Sequence, residues 1–161
     1  MAAPEVYYDI ATKRLDAQIQ QIDQLDAKTA TVFVSASGIL AIFAGLLSLA
    51  ALPTNLAIKI VVLVVLGLAS AIYVALLYFL YRAYKTDQWH FRPDLPALKA
   101  NCANYEEQQM QQWVADECLT SLDDNTPLII RKALFLRYAL IAFPVEAALL
   151  VIAGAITLVV K

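Results

Sequence analysis

The sequence predicts an all-α membrane protein with three transmembrane helices and cytosolic helical extensions that form a small bundle. Three observations carry this. The chain is 61% hydrophobic and only 16% charged over 161 residues, whereas a soluble domain has about 45–50% apolar and about 25% charged residues. A chain this short has too much surface to solvate for the excess to be core alone. The apolar residues also fall in three long runs, at 31–51, 60–81 and 138–160, and the third is interrupted by one charge, Glu146. Crossing a hydrocarbon layer of about 30 Å takes roughly 20 apolar residues in a helix. Finally, no Gly or Pro lies between Glu5 and Gly38, so the first helix is expected to run unbroken from a polar segment into its span.

Taken in order, the chain reads as one helical membrane domain, 1–161. Residues 1–30 form a cytosolic amphipathic helix. Tyr8, Ala11, Leu15, Ile19, Ile22, Leu25 and Thr29 recur at steps of three and four, the spacing of one helical face. Residues 31–51 are the first span. From Glu5 to Ala51 the helix is about 70 Å long. The run begins some thirty residues in, after polar sequence, and is longer than the apolar part of a secretory signal. LPTN (52–55) is a turn signal, and 57–81 is the second span. Tyr78, Tyr81 and Tyr84, followed by Trp89, match the aromatic belt of a membrane interface.

Residues 82–137 form a cytosolic helical segment. Asp94 is placed to cap a short helix with Pro96 in its first turn, and 105–122 is a second helix. SLDDNTP is expected to end that helix and start the last one, with Asp124, Asn125 or Thr126 as cap and Pro127 near the first helical position. The last helix then continues into the third span, 138–160.

Orientation follows from Lys and Arg. Lys13, Arg14, Lys28, Arg82, Lys85, Arg92, Lys99, Arg131, Lys132 and Arg137 fall on the side of the N-terminal segment and 82–137, against only Lys59 and Lys161 opposite. The positive-inside rule places the N-terminus in the cytoplasm and the C-terminus outside, in the cell (inner) membrane. Cys102 and Cys118 lie on the reducing side, which disfavours a disulfide. The single histidine, His90, has no clustered partner for a zinc site.

Glu146 is the residue that most needs a reason. It lies about eight residues into the third span, roughly 12 Å deep, where a charge costs a few kcal/mol. It should face protein or water. Ser35 and Ser37 of the first span and Tyr73 of the second stand at comparable depth, and the four residues form a candidate intramembrane polar site. Either Glu146 serves a gating, proton or ion pathway, or it holds helices together by a hydrogen bond. A shifted span that leaves it near the interface is a third option. Ala41 with Gly45, and Gly67 with Ala71, are small residues four apart. Such pairs let helices approach closely in lipid, either within the chain or between copies.

Trp89, His90, Phe91 and Arg92 fit a ligand-binding loop, because aromatics stack on bases and Arg pairs with phosphate. Membrane-surface anchoring is the favoured reading of them. Catalytic signals are absent: no Gly-rich phosphate loop, no Ser/His/Asp arrangement and no paired carboxylates in a cleft pattern. The expectation is a non-enzymatic protein with no catalytic residue, metal or cofactor. Its partners would be the lipid bilayer and further copies of itself, not a nucleic acid polymer.

The stretch IDQLDAKTATVFVSASGIL (22–40) is similar to the membrane entry of small bacterial effectors of nucleotide-signalling antiviral systems, the Pycsar transmembrane type and the SLATT-like group. Asp26, Ala27, Lys28 and Gly38 fall on an Asp-(x)-Lys-Ala-like stretch leading into a Gly-containing span, and Lys132 with Ala133 on a late Lys-Ala pair. The resemblance implies an effector triggered by a cyclic nucleotide or by a sensor protein, which assembles in the inner membrane and impairs it. The alternatives are an accessory or structural subunit of a larger membrane complex, or a small ion- or proton-conducting channel subunit.

Overall fold

The structure, a computed structural model, describes residues 3–49, 55–85, 89–91 and 93–159. Within them lie four helices and no strand: α1 (Ala3–Leu49), α2 (Leu56–Tyr84), α3 (Leu95–Cys102) and α4 (Glu107–Val159). Of the LPTN turn only Asn55 is described. Its side chain accepts from the Ala57 amide at 3.0 Å and caps α2. Asp94 does the same for α3, accepting from the Ala97 amide at 3.1 Å, and Pro96 sits in the first turn where no amide partner is lost. At the start of α4 the Glu106 amide donates to Gln109 Oε1 at 3.2 Å.

The expected break at SLDDNTP does not occur. α4 runs from Glu107 to Val159 as one helix, across both Pro127 and Pro144. A proline in a helix interior lacks the amide that would bond the carbonyl four residues back, and costs about 3 kcal/mol. Packing on both sides offsets this. Ser121, Asn125 and Ile129 are all buried, so the helix is held through the proline by tertiary contact. The residues that read as caps are engaged elsewhere: Thr126 Oγ1 donates to the Leu122 carbonyl at 2.7 Å, and Asn125 binds a loop described below.

The chain packs as two compact units. Unit 1 comprises Met1–Leu25 and Thr86–Arg131, and unit 2 comprises Asp26–Lys85 and Lys132–Lys161. In unit 1, Ala11, Ala115 and Cys118 form a small core under Tyr7, Leu15, Val114 and Leu119. Small residues at the crossing let α1 and α4 approach closely. Gln18 is buried among them and donates to the Leu122 carbonyl at 3.1 Å, and Tyr7 donates to Asp116 at 2.7 Å.

Unit 2 contains the three apolar segments. α1, α2 and α4 are each long and apolar enough to cross a membrane. Only 17–22% of the residues in each apolar window are buried inside the chain. Val34 (68%), Ile42 (64%), Val64 (64%) and Val159 (82%) stand exposed. An apolar exterior of this extent suits lipid, not water, and it indicates a membrane location.

The buried residues of unit 2 recur every seven. In α2 they are Val62, Ala69, Leu76 and Ala83, with Leu80 beside them. In α4 one row is Lys132, Ala139, Glu146 and Ala153, and a second is Leu136, Leu150 and Thr157. A seven-residue repeat is the signature of left-handed, knobs-into-holes packing at about +20°. It fixes which α4 side chains lie inside, and two ionisable residues are among them.

Candidate functional site

Glu146 is 1% exposed. Neighbouring contacts set its level. The Phe79 and Tyr138 rings are 5.5 Å apart, and the Arg82 guanidinium lies 4.9 Å from the Phe135 ring, so α2 and α4 are antiparallel. Glu146 is eight residues beyond Tyr138 and therefore level with Ala71, eight residues before Phe79. On α1, Phe43 packs against Gly154, which puts Glu146 near Ser35, eight residues before Phe43. The same layer holds Ser37 and Tyr73, whose hydroxyls are 3.3 Å apart. Those two bond to each other, and Ser35 is exposed. Neither carboxyl oxygen of Glu146 has a hydrogen-bond partner among the described residues. Four polar residues thus share one layer, but only Ser37 and Tyr73 are joined.

A buried carboxyl with no partner costs free energy that one hydrogen bond would return. Elsewhere in the spans hydroxyls bond their own helix. Thr157 donates to the Ala153 carbonyl at 2.8 Å, Ser70 to Leu66 at 2.9 Å and Thr31 to Ala27 at 2.9 Å. Glu146 makes no such bond: neither of its oxygens meets a carbonyl of its own helix among the described residues. It is equipped to accept a proton, a cation or a donor group from outside the described contacts.

The second ionisable core residue is Lys132. Its side chain is 3% exposed and paired with Asp26, which is 35% exposed. Asp26 and Lys132 both belong to the residues on which the family resemblance rests. Read from sequence, Lys132 is an orientation charge and its pairing goes unnoticed. The signal available was position: Lys132 lies fourteen residues before Glu146, in the same seven-residue row.

Of the expected surface loop, Trp89 and His90 are described and half-buried, and Arg92 lies outside the described residues. Asn125, fully buried on α4, clamps the loop. It accepts from the His90 amide at 3.0 Å and donates to the His90 carbonyl at 2.9 Å. Trp89, His90, Phe91, Asp94, Trp113 and Glu117 line a half-open cleft of about 350 Å³. Asn125 is the residue that sequence reasoning misassigned, because the same chemistry serves a helix cap and a tertiary clamp.

Cys102 is exposed and Cys118 buried, and neither is in a disulfide. Burial, with the nearby Asp16 and Glu117 charges, pushes the Cys118 thiol up from its ordinary value, which makes it a poor nucleophile. Among the described residues no group of three or more His, Cys, Asp or Glu side chains is arranged to hold a metal.

The small-residue pairs face outward. A methyl group added at Gly38, Gly45 or Gly67 would meet nothing within 4 Å, and Ala41 and Ala71 are exposed. At Gly154, by contrast, an added Cβ would stand 3.1 Å from Phe43 Cε1. Comparison with protein-family profiles, with curated proteins and with solved structures finds no match to this chain.

Proposed function

We propose that this is a non-enzymatic, oligomeric multi-pass membrane protein that acts like the antiviral effectors it resembles, by assembling in the inner membrane and impairing it. Unit 1 is its cytosolic helical bundle, the N-terminus is cytoplasmic and the C-terminus outside. A cyclic nucleotide, or a protein that senses one, is the trigger. The observation that supports assembly is the pair of small-residue strips, Gly38, Ala41 and Gly45 on α1 and Gly67 and Ala71 on α2. All five lie exposed on an apolar exterior, and a Cβ added at Gly38 or Gly67 meets nothing within 4 Å. In lipid, where apolar burial gives no driving force between helices, such strips allow the close backbone approach on which association depends.

The test is the mass in a mild maltoside detergent, paired with dye leakage from cells expressing the protein. Wild type should run as a multiple of 17.7 kDa. Gly67→Leu and Gly38→Leu should shift it to one copy and abolish leakage with helical content unchanged, since a Cβ at either position meets nothing within 4 Å. A wild type that is monomeric and harmless with every candidate trigger would overturn the reading. A second reading, a small proton- or ion-conducting subunit, is favoured by the unpartnered Glu146 carboxyl. It requires Glu146→Gln to abolish flux while leaving the mass unchanged.

A further inference from the structure

We propose that the cleft of unit 1 binds an alkylammonium group, with Trp89, Phe91 and Trp113 as its aromatic wall and Asp94 and Glu117 as its counter-charges. The inference stands apart from the assembly reading above. Three features of the cleft support it. The first is its lining. Aromatic faces carry negative potential and attract organic cations, and two carboxylates share the same space of about 350 Å³. Arg92, between Phe91 and Pro93 in the same loop, lies outside the described residues. A small metal ion would find only the two carboxylates and His90, which do not group as ligands.

The second feature is that the cleft is built from fixed parts. Trp113 and Glu117 are four residues apart on α4, so they share one face of a rigid helix. Asp94 is held by its own capping bond to the Ala97 amide through Oδ1, which leaves its other oxygen for a ligand. The loop bearing Trp89 and Phe91 is held at its middle residue by both hydrogen bonds of the buried Asn125. One donor and one acceptor of the same side chain on the backbone of one residue fix the orientation of that backbone.

Third, Glu117 is half-buried with no hydrogen-bond or ion-pair partner among the described residues. A carboxylate partly removed from water beside two indoles gains most from a weakly hydrated cation, and an alkylammonium meets that description. The ammonium can belong to a lipid head group or to a free small molecule, since both carry the same cation.

The chain has two tryptophans and both line the cleft, so intrinsic fluorescence reports on it directly. Choline chloride and ethanolamine hydrochloride are titrated into the full chain in maltoside, with sodium chloride at equal ionic strength as control. Lipid nanodiscs of phosphatidylglycerol, with and without phosphatidylethanolamine or phosphatidylcholine, form the second arm. A saturable change with the free amines assigns a soluble ligand, and one seen only in discs with ammonium head groups assigns a lipid. Glu117→Gln should weaken either response about tenfold. Trp113→Leu, followed through Trp89, should weaken it about fivefold. Asp94→Asn keeps the helix cap and serves as the second charge variant if Glu117→Gln does not fold. No saturable response in either arm overturns the proposal. So does a response that neither charge variant alters, or saturation by adenosine 3′,5′-cyclic monophosphate in place of the amines.

Discussion

Unit 1 buries Gln18 and Asn125, and unit 2 buries Lys132 and Glu146, but the two regions treat their buried polar groups differently. Asn125 bonds an element thirty-five residues away in sequence, and Gln18 bonds one 104 residues away. Among the described residues only Gln18 Oε1 is left over in unit 1. In unit 2 Thr31, Ser70 and Thr157 turn back onto their own helices, Ser37 meets Tyr73, Lys132 meets Asp26, and both oxygens of Glu146 go unmatched. Polar groups in unit 1 hold segments together. In unit 2 one carboxyl is carried at a cost to stability, and such a cost is characteristic of a group kept for function.

The sharpest way to break this contrast is Asn125→Ala. It strands the amide and carbonyl of His90, and should destabilise unit 1 by about 2 kcal/mol and erase hydrogen-exchange protection at the His90 amide. An unchanged melting curve would mean that the clamp is incidental. Next comes Glu146→Leu, which replaces an unpartnered carboxyl by an apolar group of similar size. It should raise thermal stability in detergent by about 1 kcal/mol while abolishing the membrane effect. A loss of stability instead would reveal a partner for Glu146, such as a bound water or a second copy.

The smallest effect concerns Tyr7. Its hydrogen bond to Asp116 holds the phenol above its ordinary value of 10.0, helped by burial and by the Asp116 charge. A group whose folded value is raised contributes its stability below the unfolded value and loses it as pH rises through the folded one. The Tyr7–Asp116 contribution is therefore intact up to about pH 10 and disappears at more alkaline pH. Phenolate absorbance at 295 nm, taken as the difference between wild type and Tyr7→Phe, should show Tyr7 titrating above its ordinary value, and Asp116→Asn should bring it down.

Much of the fold was legible because it is a matter of composition and local chemistry. Three apolar runs announce three membrane-length helices, and Asp94 before Pro96 announces the start of α3. Depth was legible too: counting residues from Tyr138 places Glu146 at the level of Ser37 and Tyr73. What local reading could not reach is long-range. Pro127 with three capping residues before it has the local signature of a helix start, and only packing across Ser121, Asn125 and Ile129 decides otherwise. Tyr8 was expected on the inner face of α1, yet it is Tyr7 that meets α4 while Tyr8 is 37% exposed. A one-residue shift of this kind is below what a stripe of threes and fours can resolve. The pairing of Lys132 with Asp26 spans 106 residues and leaves no mark on either neighbourhood.

That pair also orders events in time. While helices enter a bilayer one by one, a lysine beside an apolar run is read as a free charge and weighs in the choice of direction. Once α1 and α4 have come together, the same ammonium is enclosed against Asp26 and no longer presents that charge to its surroundings. Under the orientation proposed above, a charge that weighs in insertion is used once and then sealed by the fold. Such a chain would hide one of the charges by which its direction is chosen.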